Sequence, residues 1–182
     1  MTREEYQEKK AKQYSHANDM FSRRAHEEAY KKVYPQFLPD DYVLVDLYNT
    51  ERDLAHDEDY EIIAYHGDLD KPLKFGIQER FRRAKFSGYR EVTIKDRDLL
   101  RGENKQVYNT HADFIVFGYF DDENSTLLET VVVDQGLLRW LIMQEAIEFT
   151  RHKHGDKEMT FIALPFDDLI ENHAAVFHYA PN

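Results

Sequence analysis

The chain has 182 residues, of which 42% are apolar and 14% aromatic, so it can bury a sizeable core although 32% of its residues are charged. It contains no cysteine, which excludes a disulfide scaffold, an iron–sulfur cluster and a cysteine nucleophile. The net charge of -11 disfavours nonspecific attraction to nucleic acid or to an anionic membrane. Neither a membrane-spanning run nor a signal peptide is recognisable, so we expect a single-domain cytoplasmic protein.

The first predicted element is one long helix over residues 3–33, because apolar side chains recur there every three or four residues among charged ones. Two prolines directly after this stretch end the helix. An apolar run over residues 42–48 then predicts a strand, and the polar, acidic residues 49–59 predict a loop.

A hairpin is predicted next, with strands at residues 60–66 and 73–82 joined by a short turn. Strand side chains alternate with a period of two, which divides the second strand into two faces. One face is apolar except for Glu79. The opposite face is polar and basic and consists of Lys74, Gly76, Gln78, Arg80 and Arg82.

The remaining chain predicts further strands and a second long helix. The strands cover residues 90–95, 113–119, 126–133 and 159–164, the helix covers residues 136–150, and a short helix begins near residue 167. This order predicts an α+β fold: a single domain with a long N-terminal helix, a central mostly antiparallel or mixed β-sheet, and a helix and strand at the C-terminal side.

Residues 80–105 reverse the overall charge locally, because nine basic side chains there outnumber four acidic ones. A basic stretch on an acidic protein is suited to meet a phosphate backbone. The predicted nucleic-acid-binding residues are Arg82, Arg83, Lys85 and Arg90. The alternative is that this stretch is an ordinary solvated region of mixed charge.

Asp59 opens the first hairpin strand, and Gln78-Glu79-Arg80 lies on the second. This arrangement resembles the PD-(D/E)XK nuclease superfamily, whose signature is an aspartate on one strand and an acid-X-lysine tripeptide on the paired strand. The order of elements, a helix before a meander of strands, is similar too. The resemblance implies a restriction-endonuclease-like fold and a metal-dependent nuclease that hydrolyses phosphodiester bonds.

By this resemblance, Asp59 takes the place of the first acid, Gln78 that of the second acid and Arg80 that of the lysine. These three are the predicted catalytic residues, and Asp59 with Gln78 is the predicted ligand pair for Mg²⁺ or Mn²⁺. Such a cation activates a water molecule and neutralises charge that develops on the phosphate. The cationic side chain two residues along the strand stabilises the anionic transition state.

The sequence departs from the signature at two of the three positions. Gln78 coordinates only through a neutral amide oxygen, and Arg80 cannot accept a proton at neutral pH. Glu79 would supply the missing carboxylate only if a bulge turned it away from the apolar face. The first helix offers Glu27 or Glu28 instead.

Two other classes of function stay open beside the nuclease. One is a catalytically inactive acidic binding or inhibitor protein, for example a nucleic-acid mimic, which the net charge of -11 would suit. The other is a structural subunit that assembles through exposed aromatic residues. For the nuclease the expected partner is nucleic acid, DNA before RNA, and we also count a protein partner or a homodimer among the expected assemblies, but no membrane.

Overall fold

A computed structural model describes residues 16–48, 50–56, 58–65, 67, 69–98, 103–104, 110–153 and 159–181. They form a central six-stranded sheet that packs against helices on one face and against a second, four-stranded sheet on the other. The fold class is α+β, with an N-terminal helix, a mixed central sheet and a C-terminal helix and strand. This prediction from the sequence is confirmed.

The strands of the central sheet are β1 (Tyr42–Asp46), β2 (Tyr60–Ala64), β3 (Leu73–Arg83), β6 (Phe114–Asp121), β7 (Thr126–Asp134) and β10 (Ala175–Tyr179). Their order in the sheet is β1-β2-β3-β6-β7-β10. Every neighbouring pair is antiparallel except β3 and β6, which are parallel. Because parallel neighbours need a crossover connection, the chain leaves the sheet between them.

The crossover over residues 84–113 contributes to the second sheet. It begins with a 3₁₀ helix, η1 (Ala84–Tyr89). The strands of the second sheet are β4 (Glu91–Asp98), β5 (Glu103–Asn104), β8 (Thr150–Lys153) and β9 (Met159–Pro165). Their order is β5-β4-β9-β8, and all neighbours are antiparallel. The second sheet therefore joins strands from the middle and from the later part of the sequence.

The helices are α1 (His16–Lys32), α2 (Tyr34–Phe37), α3 (Glu51–His56), α4 (Gln135–Met143) and α5 (Phe166–Glu171). Helix α1 buries Phe21, Ala25 and Ala29, spaced four residues apart, against the central sheet. Among the described residues, no helix is long and apolar enough to cross a membrane.

A second hydrophobic core lies between the two sheets. Ile115 and Phe117 of β6 pack there with Val92 and Ile94 of β4, and all four side chains are fully or almost fully buried. Helices α4 and α5 close this core with further apolar residues. Both faces of β6 are therefore covered, which agrees with its nearly unbroken apolar sequence.

Several predicted boundaries were wrong. The helix predicted over 136–150 ends at Met143, because Glu145 adopts a positive φ of 54°, and residues 150–153 form an edge strand. The loop predicted over 49–59 contains α3. The Thr50 hydroxyl accepts a hydrogen bond from the Asp53 N–H, as an N-cap residue does. Strand β10 was not predicted. Residues 3–15 of the predicted first helix lie outside the described residues.

Candidate functional site

The predicted hairpin of β2 and β3 positions Asp59. Tyr60 lies opposite Ile77 in an antiparallel register that shows no bulge. Asp59 directly precedes β2, and its backbone N–H donates to the carbonyl oxygen of Ile77 at 2.8 Å. The Asp59 carboxylate also accepts a hydrogen bond of 2.7 Å from the backbone N–H of Glu79. The hairpin therefore fixes Asp59 from both its main chain and its side chain.

The Glu79 side chain extends toward the helices and is only 8% exposed. Nδ1 of His26 in α1 lies 3.0 Å from each of its carboxylate oxygens, and the Tyr34 hydroxyl donates to Oε1. The His26 ring stacks on Tyr60, with ring centroids 4.3 Å apart and planes inclined by 10°. Glu79 is thus a buried carboxylate held by two side chains from the helical layer.

The electrostatics of Asp59 follow from its surroundings. Burial is the largest influence, and together with the negative charges of Glu79 and Asp53 it raises the pKa of Asp59 from 3.8 to about 7. The Glu79 N–H and the Arg80 charge act in the opposite direction but are outweighed. The ionised form of Asp59 is consequently unfavourable in this buried position beside Glu79. Either a bound proton or a nearby cation would stabilise the carboxyl group there.

Burial would by itself lower the pKa of His26, but the hydrogen bond with Glu79 and the nearby carboxylates together raise it above 6.5. Burial also raises the pKa of Tyr34 well above 10, and the charge of Glu79 adds to that effect. Tyr34 therefore stays protonated as a hydrogen-bond donor, and His26 readily carries the positive charge that faces Glu79.

Gln78 and Arg80 lie on the opposite face of β3 from Glu79, because strand side chains alternate. Gln78 is buried, with 3% exposed. Arg80 is partly buried, and its Nε has no hydrogen-bond partner among the described residues. The pairing of β3 with β2 and β6 contains no bulge, so Glu79 keeps the apolar face that the sequence predicts for it.

The acids predicted as alternatives on the first helix do not reach this site. Glu27 is exposed, and Glu28 forms ion pairs with Lys31 and Lys32 at 3.1 and 2.8 Å. The side chain of α1 that contacts Glu79 is instead His26, which was not predicted. A histidine directly beside the buried stripe of α1 was the signal in the sequence that could have found it.

Three of the four predicted nucleic-acid-binding residues have carboxylate partners. The pairs are Arg82 with Glu91, Arg83 with Asp122, and Arg90 with both Glu129 and Asp167. Lys85 is exposed, and its Nζ lies 5.0 Å from the centroid of the Phe86 ring. A phosphate would meet Lys85 directly, whereas the arginines would have to exchange or share a carboxylate.

No group of three or more His, Asp or Glu side chains that could hold a metal occurs within the described part of the chain. The donor chemistry of Asp59 with Gln78 nevertheless fits a hard divalent cation, because both side chains offer oxygen ligands. Mg²⁺ is usually bound through only one or two carboxylates, together with waters and substrate phosphate oxygens. Burial, together with the negative charges of Glu79 and Asp53, raises the pKa of Asp59, and a nearby cation would favour the ionised carboxylate against these influences.

No family model matches this chain, and no curated protein matches it either. A solved structure of a nuclease from a fusselovirus is similar, with 14% sequence identity and a TM-score of 0.36 over 85% of this chain and 87% of that chain.

Proposed function

We propose that this chain is a nucleic-acid-processing protein of the PD-(D/E)XK kind, a divalent-metal-dependent nuclease that hydrolyses phosphodiester bonds. The observation that carries the proposal is the contact between the Asp59 carboxylate and the backbone of Glu79. It holds the aspartate at the start of one strand against the backbone of the paired strand, between Gln78 and Arg80, the residues that take the places of the second acid and the lysine by the resemblance. The long helix precedes the hairpin along the chain, as the resemblance implies, and β6 pairs with β3 in parallel.

Asp59 would hold the Mg²⁺ or Mn²⁺ ion, with Gln78 as the second protein ligand, because no bulge turns Glu79 away from the apolar face of β3. When bound, the cation supplies an activated water and neutralises negative charge at the scissile phosphate. Arg80 contributes a permanent positive charge that favours binding of the phosphate and stabilises its anionic transition state.

His26 supplies the proton-transfer capacity that Arg80 lacks. Glu79 binds its Nδ1, which orients the ring and leaves Nε2 to take up or release a proton. The His26 side chain is 21% exposed, so the ring is not fully enclosed by the core. Tyr34 completes the support by donating to the same carboxylate.

A second candidate is a catalytically inactive acidic binding protein that mimics nucleic acid. Two observations favour it: the net charge of -11, and the carboxylate partners of Arg82, Arg83 and Arg90, which reduce the phosphate-binding capacity of the basic stretch. Such a protein would bind a basic partner rather than nucleic acid.

The first prediction is that millimolar Mg²⁺ or Mn²⁺ raises the Tm of the parent protein and supports hydrolysis of a labelled oligonucleotide. A ligand that binds only the folded state stabilises it by mass action. Asp59→Ala should abolish both effects. The control Asp70→Ala, which removes an exposed carboxylate elsewhere, should retain both. A parent protein without a metal-dependent Tm shift and without hydrolysis would favour the acidic binder.

Two further variants identify the second ligand. Glu79→Gln should retain the Mg²⁺-dependent Tm shift, because the Glu79 side chain lies on the other face of β3 from Gln78 and the cation. If Gln78 binds it, Gln78→Glu should enlarge that shift, because a charged ligand replaces a neutral one. Each shift is measured against the metal-free form of the same variant, which separates metal binding from a change in stability.

The second prediction is that DNA or RNA binds at low salt, with an affinity that falls as salt rises. Each lost phosphate contact should lower the log–log salt slope by about one. We expect Lys85→Ala to weaken binding in a gel-shift titration, and the double variant Arg82→Ala/Arg83→Ala to weaken it further. Lys153→Ala, which removes an exposed charge on β8, is the control. If neither single- nor double-stranded DNA or RNA shifts, the nuclease proposal fails.

A further inference from the structure

A cavity of about 370 Å³ opens at one end of the inner strands of the central sheet, where β3 and β6 begin and where β7 leads into α4. Its lining includes two aromatic, two basic and two acidic side chains, namely Phe75, Phe114, Lys74, Arg139, Asp113 and Asp134. Small-molecule sites typically enclose about 300–1,000 Å³. This cavity lies at the lower end of that range, which corresponds to one small ligand.

The apolar part of the wall consists of Phe75 and Phe114. Their ring centroids are 5.5 Å apart and their planes are inclined by 80°, and both side chains are only partly buried. Aromatic surfaces of this kind pack against the planar face of a base, and such contacts tolerate any base.

The basic part of the wall offers two kinds of donor. Lys74 is exposed on β3 and provides a flexible ammonium group. The Arg139 guanidinium donates to the carbonyl oxygen of Thr110, which fixes its orientation at the cavity. Ammonium and guanidinium groups are the side chains that bind phosphate oxygens best in proteins.

The two carboxylates of the cavity favour a larger ligand with hydroxyl groups over inorganic phosphate. Asp113 accepts a hydrogen bond from the Gly76 N–H, and Asp134 accepts one from the Leu137 N–H. Each bond is 2.8 Å long and uses one carboxylate oxygen. A lone inorganic phosphate would be repelled by two carboxylates at close range. A sugar hydroxyl donates to a carboxylate, as ribose does in dinucleotide sites.

We propose that this cavity binds one phosphorylated nucleoside, with the phosphate on Lys74 and Arg139, the sugar near the carboxylates and the base against the two rings. Lys74 precedes Gln78 by four residues on β3, or about 13 Å at about 3.3 Å per residue. The ligand is therefore either a free mononucleotide or the terminal nucleotide of a strand bound at Asp59. Binding here requires no hydrolysis, so the inference goes beyond the proposed function.

The test uses isothermal titration of the full chain with adenosine monophosphate, adenosine and inorganic phosphate. We expect the monophosphate to bind at least about tenfold more tightly than either fragment, because only it contacts all three kinds of wall. Lys74→Gln and Arg139→Gln should each weaken its binding about fivefold or more, and Lys71→Gln, an exposed neighbour outside the cavity, should not. Equal affinity for phosphate alone, or an equal loss in the Lys71 variant, would overturn the inference.

A variant that keeps every charge tests the shape of the cavity separately from its electrostatics. Gly136 also lines the cavity, so Gly136→Val should reduce the space and weaken nucleotide binding while the Tm shows that the fold persists. An oligonucleotide with a 5′-phosphate, compared with its unphosphorylated form, distinguishes a strand end from a free nucleotide. In Asp59→Ala, nucleotide binding should persist. If that variant loses hydrolysis while the parent binds no nucleotide, this inference fails and the nuclease proposal stands.

Discussion

At pH 8 an Asp59→Asn variant is expected to unfold at a higher temperature than the parent protein, although it removes the central residue of the site. The pKa of Asp59 is raised from 3.8 to about 7 in the folded protein. Between these two values the folded state binds a proton that the unfolded chain has released, so the free energy of unfolding falls as the pH rises. Asparagine does not ionise and avoids this loss, while its amide oxygen still accepts the Glu79 N–H.

A shift of about three pKa units corresponds to an upper bound of about 4 kcal/mol, and we expect a gain of about 2 kcal/mol, or about 4–8 °C in Tm. The gain should be largest at and above pH 7 and vanish near pH 4, where Asp59 is protonated in the parent as well. Thermal unfolding across this pH range measures it. Asp70→Asn, on the exposed loop, should show no such pH dependence. An unchanged or lower Tm of Asp59→Asn at pH 8 would contradict the conclusion that ionised Asp59 destabilises the folded protein.

The same variant should lose metal-dependent hydrolysis, because asparagine brings no negative charge to the cation. Gained stability with lost activity is the usual pattern when a protein keeps an unfavourable charge for function. A variant that gained stability and kept full hydrolysis would show that Asp59 is not the metal ligand.

Gly118→Val is expected to destabilise the central sheet strongly. A Cβ at this position of β6 would overlap the hydroxyl of Thr130 and lie 2.9 Å from the carbonyl oxygen of Glu129 on the neighbouring strand. Both obstacles lie on β7, so the two strands would have to separate in a packed region. We expect a loss of about 3 kcal/mol or more, which corresponds to a fall in Tm of at least about 6 °C.

Chemical denaturation of Gly118→Val and Gly67→Val provides the comparison. Gly67 is exposed, and a Cβ there meets nothing within 4 Å, so its variant should unfold within about 0.5 kcal/mol of the parent. Equal stability of the two variants would mean that β6 and β7 tolerate a wider separation than their register implies.

The hairpin that carries the candidate site could be predicted because its backbone contacts are local in the sequence. Asp59 and Glu79 belong to one hairpin, and the alternation along β3 correctly places Glu79 on the apolar face. His26 and Tyr34 could not be predicted as its partners, because they contact Glu79 across 53 and 45 residues of sequence. Contacts of that range depend on how α1 and α2 dock on the sheet, which periodicity does not specify.

In the fold, too, local features could be predicted and long-range ones could not. Strands β6 and β7 were predicted correctly because both are strongly apolar and buried. The end of α4 was misplaced because apolar residues continue beyond it, whereas a single backbone dihedral at Glu145 stops the helix. The position of β4 in a second sheet could not be predicted, because the residues of a strand do not determine by themselves which strand it pairs with.

The crossover between β3 and β6 has a consequence for how the protein is made. Strand β4 lies in the middle of the sequence, and its partner β9 is synthesised only later. Until β9 is synthesised, Val92 and Ile94 on β4 lack the strand that helps to bury them in the finished protein. A nascent chain stalled before β9 would therefore expose an apolar strand edge, the kind of surface that chaperones recognise and that promotes aggregation.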